Sequence, residues 1–422
     1  MGDTGSAAKR RPQTAKRPIE KQKKRWGFLA LGGIDVPFLI LVITILTIGL
    51  VMLFSSSYTY AYYNENGDSA YFFKRQLIFA IAGIIAMFAV SKIRYDYFKI
   101  FAIPALLVAW GLLAVVLVLP ATKDGFHRWI NLGLFTFQPS EIAKLALILF
   151  CAYSMDKNHK KIVGKTTSQS SFSKKIKSLS NGHILVYNSF IQMCIYAGVI
   201  VITAGLVYAE NHLSGTILIL AIGVIMMYLG EVKKRWFILI GVIAAAAIVV
   251  FVLNPHLLEK YAGERITAWL DKSYEPLGAR WQTNNSLYAI GSGGLFGTGL
   301  GNSKQKHLYV SEPQNDFIFA IVCEELGFIR SAIIILLFVL LVWRGVVIGL
   351  KAKDRFGALL AMGIVFQIGL QTALNIAVVT DTLPNTGISL PFFSYGGTSL
   401  VMLLFEMGVV LSVSRYSRIE KK

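Results

Sequence analysis

Ten apolar stretches, each near the length that a helix needs to cross a bilayer, dominate this sequence. They run near 36–56, 76–91, 100–120, 140–155, 187–208, 213–230, 236–254, 316–343, 357–379 and 397–413. A membrane-spanning helix takes about 20 mostly apolar residues. Backbone groups in hydrocarbon have no water to bond, so a chain of this pattern is held to helices that satisfy themselves internally. The expected fold class is therefore all-α, a polytopic membrane protein with ten transmembrane helices. Composition agrees: 55% of the 422 residues are hydrophobic and only 15% charged, against about 25% charged in an average soluble domain. The same apolar content excludes disorder through the bulk of the chain. The eighth stretch is long and should tilt, kink or project past the bilayer.

Charge sets the expected orientation. With the N-terminus inside, the segments on the inner side hold 30 of the 42 Lys and Arg, nine of them in residues 1–26. Such a cytoplasmic excess is the positive-inside pattern. Both termini are then cytoplasmic, whereas nine or eleven spans would put Arg415, Arg418, Lys421 and Lys422 outside. Residues 1–33 read as a basic, disordered cytoplasmic tail, 34–415 as the ten-span domain and 416–422 as a second cytoplasmic tail. No Ala-x-Ala site follows the first tail, so the first span is expected to stay uncleaved. The inner stretch 157–181, rich in Ser and Lys, is expected to be flexible.

The net charge of +19 does not point to nucleic acid. The basic residues sit in gaps between apolar runs, and no basic stripe with interleaved aromatics occurs. Cys151, Cys194 and Cys323 all fall in apolar runs without metal-type spacing and read as buried thiols. Three outer segments stand out: 121–139, polar and aromatic; 255–315, a large extracellular loop between spans 7 and 8; and 380–396, rich in Pro and Gly. Long loops between packed helices usually carry function.

Ionisable groups in or beside spans are functional candidates. Asp316 lies where the long loop enters the eighth span. Partial desolvation there suits a general base. An acidic residue at a helix start can equally cap it or pair with its dipole, and position alone favours the cap. In Gln138-Pro139-Ser140-Glu141-Ile142-Ala143-Lys144, Pro139 suits a helix start. Glu141 and Lys144 share a face and can pair. A Lys one turn into a membrane helix must pair or line a wet cavity. Arg128 beside Trp129 suits a phosphate or sugar face, or an interfacial anchor. His127 reads as a solvated loop histidine. The glycine-rich stretch from Gln282 to Gly301 is either a phosphate nest or a tight re-entrant turn. Residues 384–399 form irregular backbone, which a membrane tolerates only where it lines a cavity. Glu324, Glu325, Arg330 and Glu406 are expected to face the bundle.

Taken in order, four motifs resemble one family. They are Arg128-Trp129 with Phe137-Gln138-Pro139-Ser140-Glu141; Gln282 with Ser286-Leu287-Tyr288-Ala289-Ile290-Gly291-Ser292-Gly293-Gly294; Asp316-Phe317-Ile318-Phe319; and Leu390-Pro391-Phe392-Phe393-Ser394-Tyr395-Gly396-Gly397. On a ten-span scaffold they resemble the SEDS family (shape, elongation, division and sporulation), whose members include FtsW, RodA and SpoVE. The resemblance covers residues 35–415. Gly67-Asp68, Tyr71 to Gln76 and Ser311 to Gln314 are more similar to the FtsW/SpoVE branch than to RodA. The chain departs from the family at Asn315, where Thr is usual, and at Ala377 and Asp381, where Gly is usual. Glu210 to Thr216 stands in place of a Gln-Pro-Asp-Leu-Gly-Thr type of segment.

The resemblance implies an inverting glycosyltransferase, a peptidoglycan polymerase of the bacterial cell membrane serving septal or spore wall synthesis. Its substrates would be lipid II and the nascent glycan, joined by β-1,4 bonds at the outer face, with undecaprenyl pyrophosphate leaving. Its expected partners are a class B penicillin-binding protein and other division or sporulation membrane proteins, and its expected location is the division septum. By motif match Asp316 is the general base. Arg128, Gln138, Glu141, Lys144, Gln282, Ser286, Ser394 and Tyr395 are the expected substrate-binding residues. Lys144 and Arg128 are candidates to receive the diphosphate, with Arg265, Arg280 and Lys304 in reserve, and Glu141 orients Lys144. A divalent cation, magnesium or manganese, can share that work, although no carboxylate cluster demands one. The rival readings are a lipid II flippase and a non-catalytic scaffold for the penicillin-binding protein. A transporter site lies near the midplane, whereas polymerisation needs a site at the outer face.

Overall fold

The computed structural model describes residues 32–119, 128–131, 133, 136–159, 162, 174–254, 260–278 and 280–417. Nearly all of the N-terminal tail, most of the C-terminal one and His127 lie outside them. The helices are α1 (Val36–Asn64), α2 (Tyr71–Ser91), α3 (Phe98–Val118), α4 (Pro139–Lys157), α5 (Lys174–Ala209), α6 (Leu213–Leu229), α7 (Lys234–Leu253), α8 (Lys260–Leu270), α9 (Trp281–Gly293), α10 (Ile318–Leu350), α11 (Arg355–Val379) and α12 (Gly397–Ser414). A two-residue antiparallel pair, β1 (Ile130–Asn131) and β2 (Thr136–Phe137), places Ile130 opposite Phe137. A helix coincides with each of the ten apolar stretches, while α8 and α9 lie within the segment 255–315.

Among the described residues, seven segments are long and apolar enough to cross a membrane: α1, α2, Tyr95–Val118, Ser189–Ala209 of α5, α10, α11 and α12. Helix α6 is apolar but shorter, at 17 residues. The chain is thus a polytopic, helical membrane-type protein. Its flanks expose Ile78, Ile81, Ile85, Ile100, Leu107 and Val108, the surface expected against lipid rather than water.

Local chemistry fixes the helix ends. Asp35 caps α1 by accepting from the Phe38 N–H at 3.0 Å, and Pro37 suits the first turn. The same carboxylate takes two bonds from Arg344 of α10, at 2.9 and 2.7 Å, so one residue starts a helix and ties it to another. Helices α2 and α12 approach closely at Gly408, where a Cβ would lie 2.6 Å from the Met87 carbonyl. Small residues permit such contact between apolar helices.

Helix α10 breaks at Gly327, with φ 78° and ψ 176°. A Cβ there would lie 2.2 Å from the Gly297 nitrogen, so the loop after α9 packs directly on the break. The loop also satisfies the backbone that the break frees. Thr298 and Gly299 donate to the carbonyls of Glu324 and Glu325 at 2.9 and 3.0 Å, and Phe328 donates to Gly294 at 2.9 Å. These bonds use the very N–H groups that a phosphate nest would need. The glycine-rich run is therefore the tight turn of the two readings, and the long eighth helix is kinked.

Several sequence expectations need correction. Residues 174–181 belong to α5 and are helical, because the helix starts well before its apolar part. Arg330 does not face the bundle: it is exposed and donates to the Phe296 carbonyl at 3.1 Å, reaching back across the kink. Cys194 is exposed, whereas Cys151 and Cys323 are buried.

Glu324 and Glu325 do face inward. Glu325 accepts from Lys306 Nζ at 2.9 Å and from Ser55 of α1 at 2.6 Å. Glu324 accepts from Ser303 Oγ and from the Lys304 N–H at 2.9 Å. Lys306 and Glu325 side chains are 4% and 0% exposed, so removing one partner strands the other. Lys306→Met should lower stability by about 3–5 kcal/mol, read as a lower melting temperature in detergent. At the exposed Lys74–Asp68 pair, Lys74→Ala should leave the melting temperature nearly unchanged.

Candidate active site

A cavity of about 1080 Å³ opens where α4, α6, α10 and α12 begin and the loop 380–396 crosses between them. Arg128, Gln138, Glu141, Lys144, Gln282, Asp316, Ser394 and Tyr395 all line it. Ser286 does not: it is buried, and its hydroxyl donates to the Val379 carbonyl at 2.8 Å, tying α9 to the end of α11.

Asp316 does not cap α10. Phe317 occupies the cap position and no side chain bonds there. The Asp316 backbone is pinned instead, its carbonyl accepting from Asn375 Nδ2 of α11 at 2.7 Å. Its carboxylate is partly exposed to the cavity and, among the described residues, accepts no hydrogen bond and forms no ion pair. Burial pushes its pKa up to about 6, while Arg265 and Arg128 pull it down and Glu312 pushes it up. An unpaired carboxylate titrating near neutrality suits proton abstraction.

The cations around the cavity are each restrained. Lys144 pairs with Glu141 at 2.9 Å and donates to Gln371 at 3.2 Å, as the three-residue spacing predicts. Arg128 donates to the Asn211 carbonyl. Arg265 of α8, also in the lining, donates to the Asn385 carbonyl at 2.7 Å and to its Oδ1 at 3.2 Å. The other reserve cations lie elsewhere. Arg280 is buried in an ion pair with Asp381 at 2.8 Å, and Lys304 is exposed outside the lining. Asp381 adopts φ 56°, a left-handed conformation that Asp tolerates better than most side chains, and Arg280 holds it there.

The remaining lining residues serve the loop. The Ser394 hydroxyl donates to the Asn315 carbonyl at 2.9 Å and accepts from the Leu390 N–H at 2.7 Å. Tyr395 stacks edge-on against Phe72 at 4.9 Å. Gln282 accepts from Asn385 at 3.3 Å. Gln138 starts α4 without capping it. Among the described residues, no three His, Cys, Asp or Glu side chains stand together to hold a metal ion. A magnesium or manganese ion therefore finds no ready protein cage in this part of the chain.

Sequence reasoning missed the amides of α11. Gln367, Gln371 and Asn375 recur every four residues and so share one face. Gln367 donates to Glu406 at 3.1 Å, Gln371 links Lys144 to Ser389, and Asn375 joins Asp316 to Ile388. The spacing was a readable signal.

The comparisons with known proteins decide the family. The FtsW/RodA/SpoVE profile, described as "Cell cycle protein", matches residues 36–419. The chain belongs to this family. Stage V sporulation protein E of Bacillus subtilis (strain 168) is 38% identical over 91% of this chain and 98% of its own. The probable peptidoglycan glycosyltransferase FtsW of Trichlorobacter lovleyi is 36% identical over 91% and 94%. The Thermus thermophilus rod shape determining protein RodA shares the fold, with a TM-score of 0.62 at 24% identity over 92% and 98%. So does a chain from a peptidoglycan synthase complex, with a TM-score of 0.69 at 24% identity over 92% and 99%.

Within the family's usual Gln-Pro-Asp-Leu-Gly-Thr segment this chain carries Glu210. It is fully buried, and among the described residues neither carboxylate oxygen has a hydrogen-bond partner. Burial raises its pKa to about 8, against a smaller opposing effect of Arg128. A carboxyl raised in the fold holds its proton where the unfolded chain has lost it, so stability falls as pH rises from the unfolded pKa to the folded one. The melting temperature should fall between about pH 5 and pH 8, at up to about 1.4 kcal/mol per pH unit. Glu210→Gln should remove that slope in a pH series of melting curves.

Proposed function

We propose that this chain is a peptidoglycan glycosyltransferase that polymerises lipid II at the outer face of the cell membrane. One observation carries the reading: the unpaired Asp316 carboxylate shares a single cavity with Arg128, Lys144 and Arg265. Making a β-1,4 bond from an α-linked sugar diphosphate inverts the anomeric centre in one displacement. The acceptor hydroxyl oxygen forms a bond to the donor C1 as its proton passes to Asp316. The C1–oxygen bond to the lipid diphosphate breaks, and the electron pair leaves with that group. Fixed cations suit the charge that develops on the leaving oxygens, and holding both sugars in one cavity supplies the orientation.

The orientation is part of the proposal. Ten spans with cytoplasmic termini accord with the ten coincident helices and with the Lys/Arg distribution. In that arrangement the cavity mouth faces outward, since the loops 255–315 and 380–396 are then external. Asp316 at the amino end of α10 is placed for outer-leaflet chemistry rather than for midplane transport. The lipid tail would leave sideways between helices. A class B penicillin-binding protein is the proposed partner, in keeping with the fold shared with a chain of a synthase complex. Similarity to both sporulation and FtsW proteins supports work at a septum.

Asp316→Asn, purified with the partner and given lipid II, should keep its melting temperature and lose polymer formation by at least about 100-fold. The wild-type rate should rise as pH climbs through about 6, because the base acts ionised. A variant that polymerises normally refutes the assignment of the base.

A further inference from the structure

Three elements meet at Asn385. Arg265 of α8 donates to its carbonyl and to its Oδ1. The same Oδ1 accepts from the Gly387 N–H at 3.2 Å, closing a local side-chain turn. The Asn385 amide donates to Gln282 of α9 at 3.3 Å. This turn sets Gly387 at φ 74° in a narrow gap. A Cβ there would lie 3.1 Å from Asp316 Oδ2 and 3.9 Å from Arg265 Nη1. The guanidinium and the carboxylate thus both border that one glycine, yet Asp316 forms no ion pair among the described residues.

That separation needs a cause. Opposite charges so close in a half-buried site attract strongly, and Arg with a carboxylate readily forms a paired set of bonds. Closure would disable both groups. The carboxylate would spend a lone pair and fall in pKa by about 1–3 units, and the guanidinium would lose its charge as an anion receptor. The acceptors of Asn385 give Arg265 other bonds to make.

We propose that Asn385 is a positioning residue: it holds the Arg265 guanidinium beside the Asp316 carboxylate but off it, so that the base keeps its lone pair and the cation remains available to the departing diphosphate. The inference rests on the reading of Asp316 as the base. The other charged groups acting on Asp316 are Glu312, four residues before it, and Arg128 from the segment before β1.

The test compares pH profiles of polymerisation for the full chain with its cognate penicillin-binding protein and lipid II. Arg265→Gln removes a cation and should move the acidic limb up by about one unit. Asn385→Ala should act oppositely: it keeps the backbone carbonyl but removes the Oδ1 and the turn that presents that carbonyl, so Arg265 closes on Asp316, the acidic limb moves down by about one unit, and the plateau kcat falls. Asn385→Ser keeps an acceptor for Gly387 and should lie near wild type. In the double variant Asn385→Ala with Arg265→Gln, the limb should return upward. An Asn385→Ala limb that stays or moves up overturns the positioning, as does a double variant matching Asn385→Ala. If Asn385→Ala does not fold, Asn385→Gln, whose longer arm displaces the acceptor, carries the same test. Polymer made by Asp316→Asn overturns the base and the positioning together. An inactive Asp316→Asn beside an unmoved Asn385→Ala limb overturns the positioning alone.

Discussion

The amide of Asn375, fully buried in α11, donates to two carbonyls at once, Asp316 at 2.7 Å and Ile388 at 2.6 Å. The first belongs to the segment entering α10 and the second to the irregular loop before α12. Neither segment has a regular partner of its own, and a carbonyl buried without one costs on the order of 1–3 kcal/mol. One side chain therefore both satisfies the backbone and sets the distance between the carboxylate and the wall it faces. Gln371, one turn earlier, repeats the device by joining Lys144 to Ser389. The site is assembled on a rigid helix, with the loops hung from it.

Charge balance follows the same logic. Arg128, Lys144 and Arg265 line the cavity together with Asp316, and such a set would tend to neutralise itself. Each cation is instead engaged away from Asp316: Lys144 by Glu141, Arg128 by the Asn211 carbonyl, Arg265 by Asn385. Carbonyl and amide acceptors restrain a guanidinium without cancelling its charge. Lys144 is partly neutralised by Glu141, and its place is fixed more firmly in return. Preorganised charge of this kind stabilises a developing anion without reorganising at the moment of reaction.

The apolar periods made the helices legible, because hydrocarbon length and backbone satisfaction leave little choice. The ends were harder. Helix α5 runs into a polar, Lys-rich stretch that hydropathy reads as loop, and α1 continues to Asn64 past the end of its apolar run. The Glu141–Lys144 pair was readable because a helix fixes its spacing. The cap role of Asp316 was a fair expectation from sequence, and it failed because the helix starts one residue later, with Phe317 at the cap position, after a turn bonded to Tyr395 and Ser394. Arg280 and Arg265 could not be told apart in sequence. Both lie in the long loop, and only the fold shows one paired with Asp381 and the other turned to the cavity.

The two halves of that loop are held by different means. Residues 294–306 sit over buried Glu324 and Glu325, which accept from loop N–H groups, from Lys306 and from Ser55 of α1. Buried carboxylates saturated in this way have no low-cost alternative partner. The 265–286 half is tied to the end of α11 and the loop after it, through Trp269 and Arg280 to Asp381, Ser286 to Val379 and Arg265 to Asn385. Its anchors include a buried ion pair, Arg280 with Asp381, and bonds to the carbonyls of Asp381, Val379 and Asn385. Asp316 follows the firmly held half in the chain, and Arg265 belongs to the other. The base is thus carried next to the half anchored on buried carboxylates, and the cation beside it on the half tied to α11 and the loop that follows.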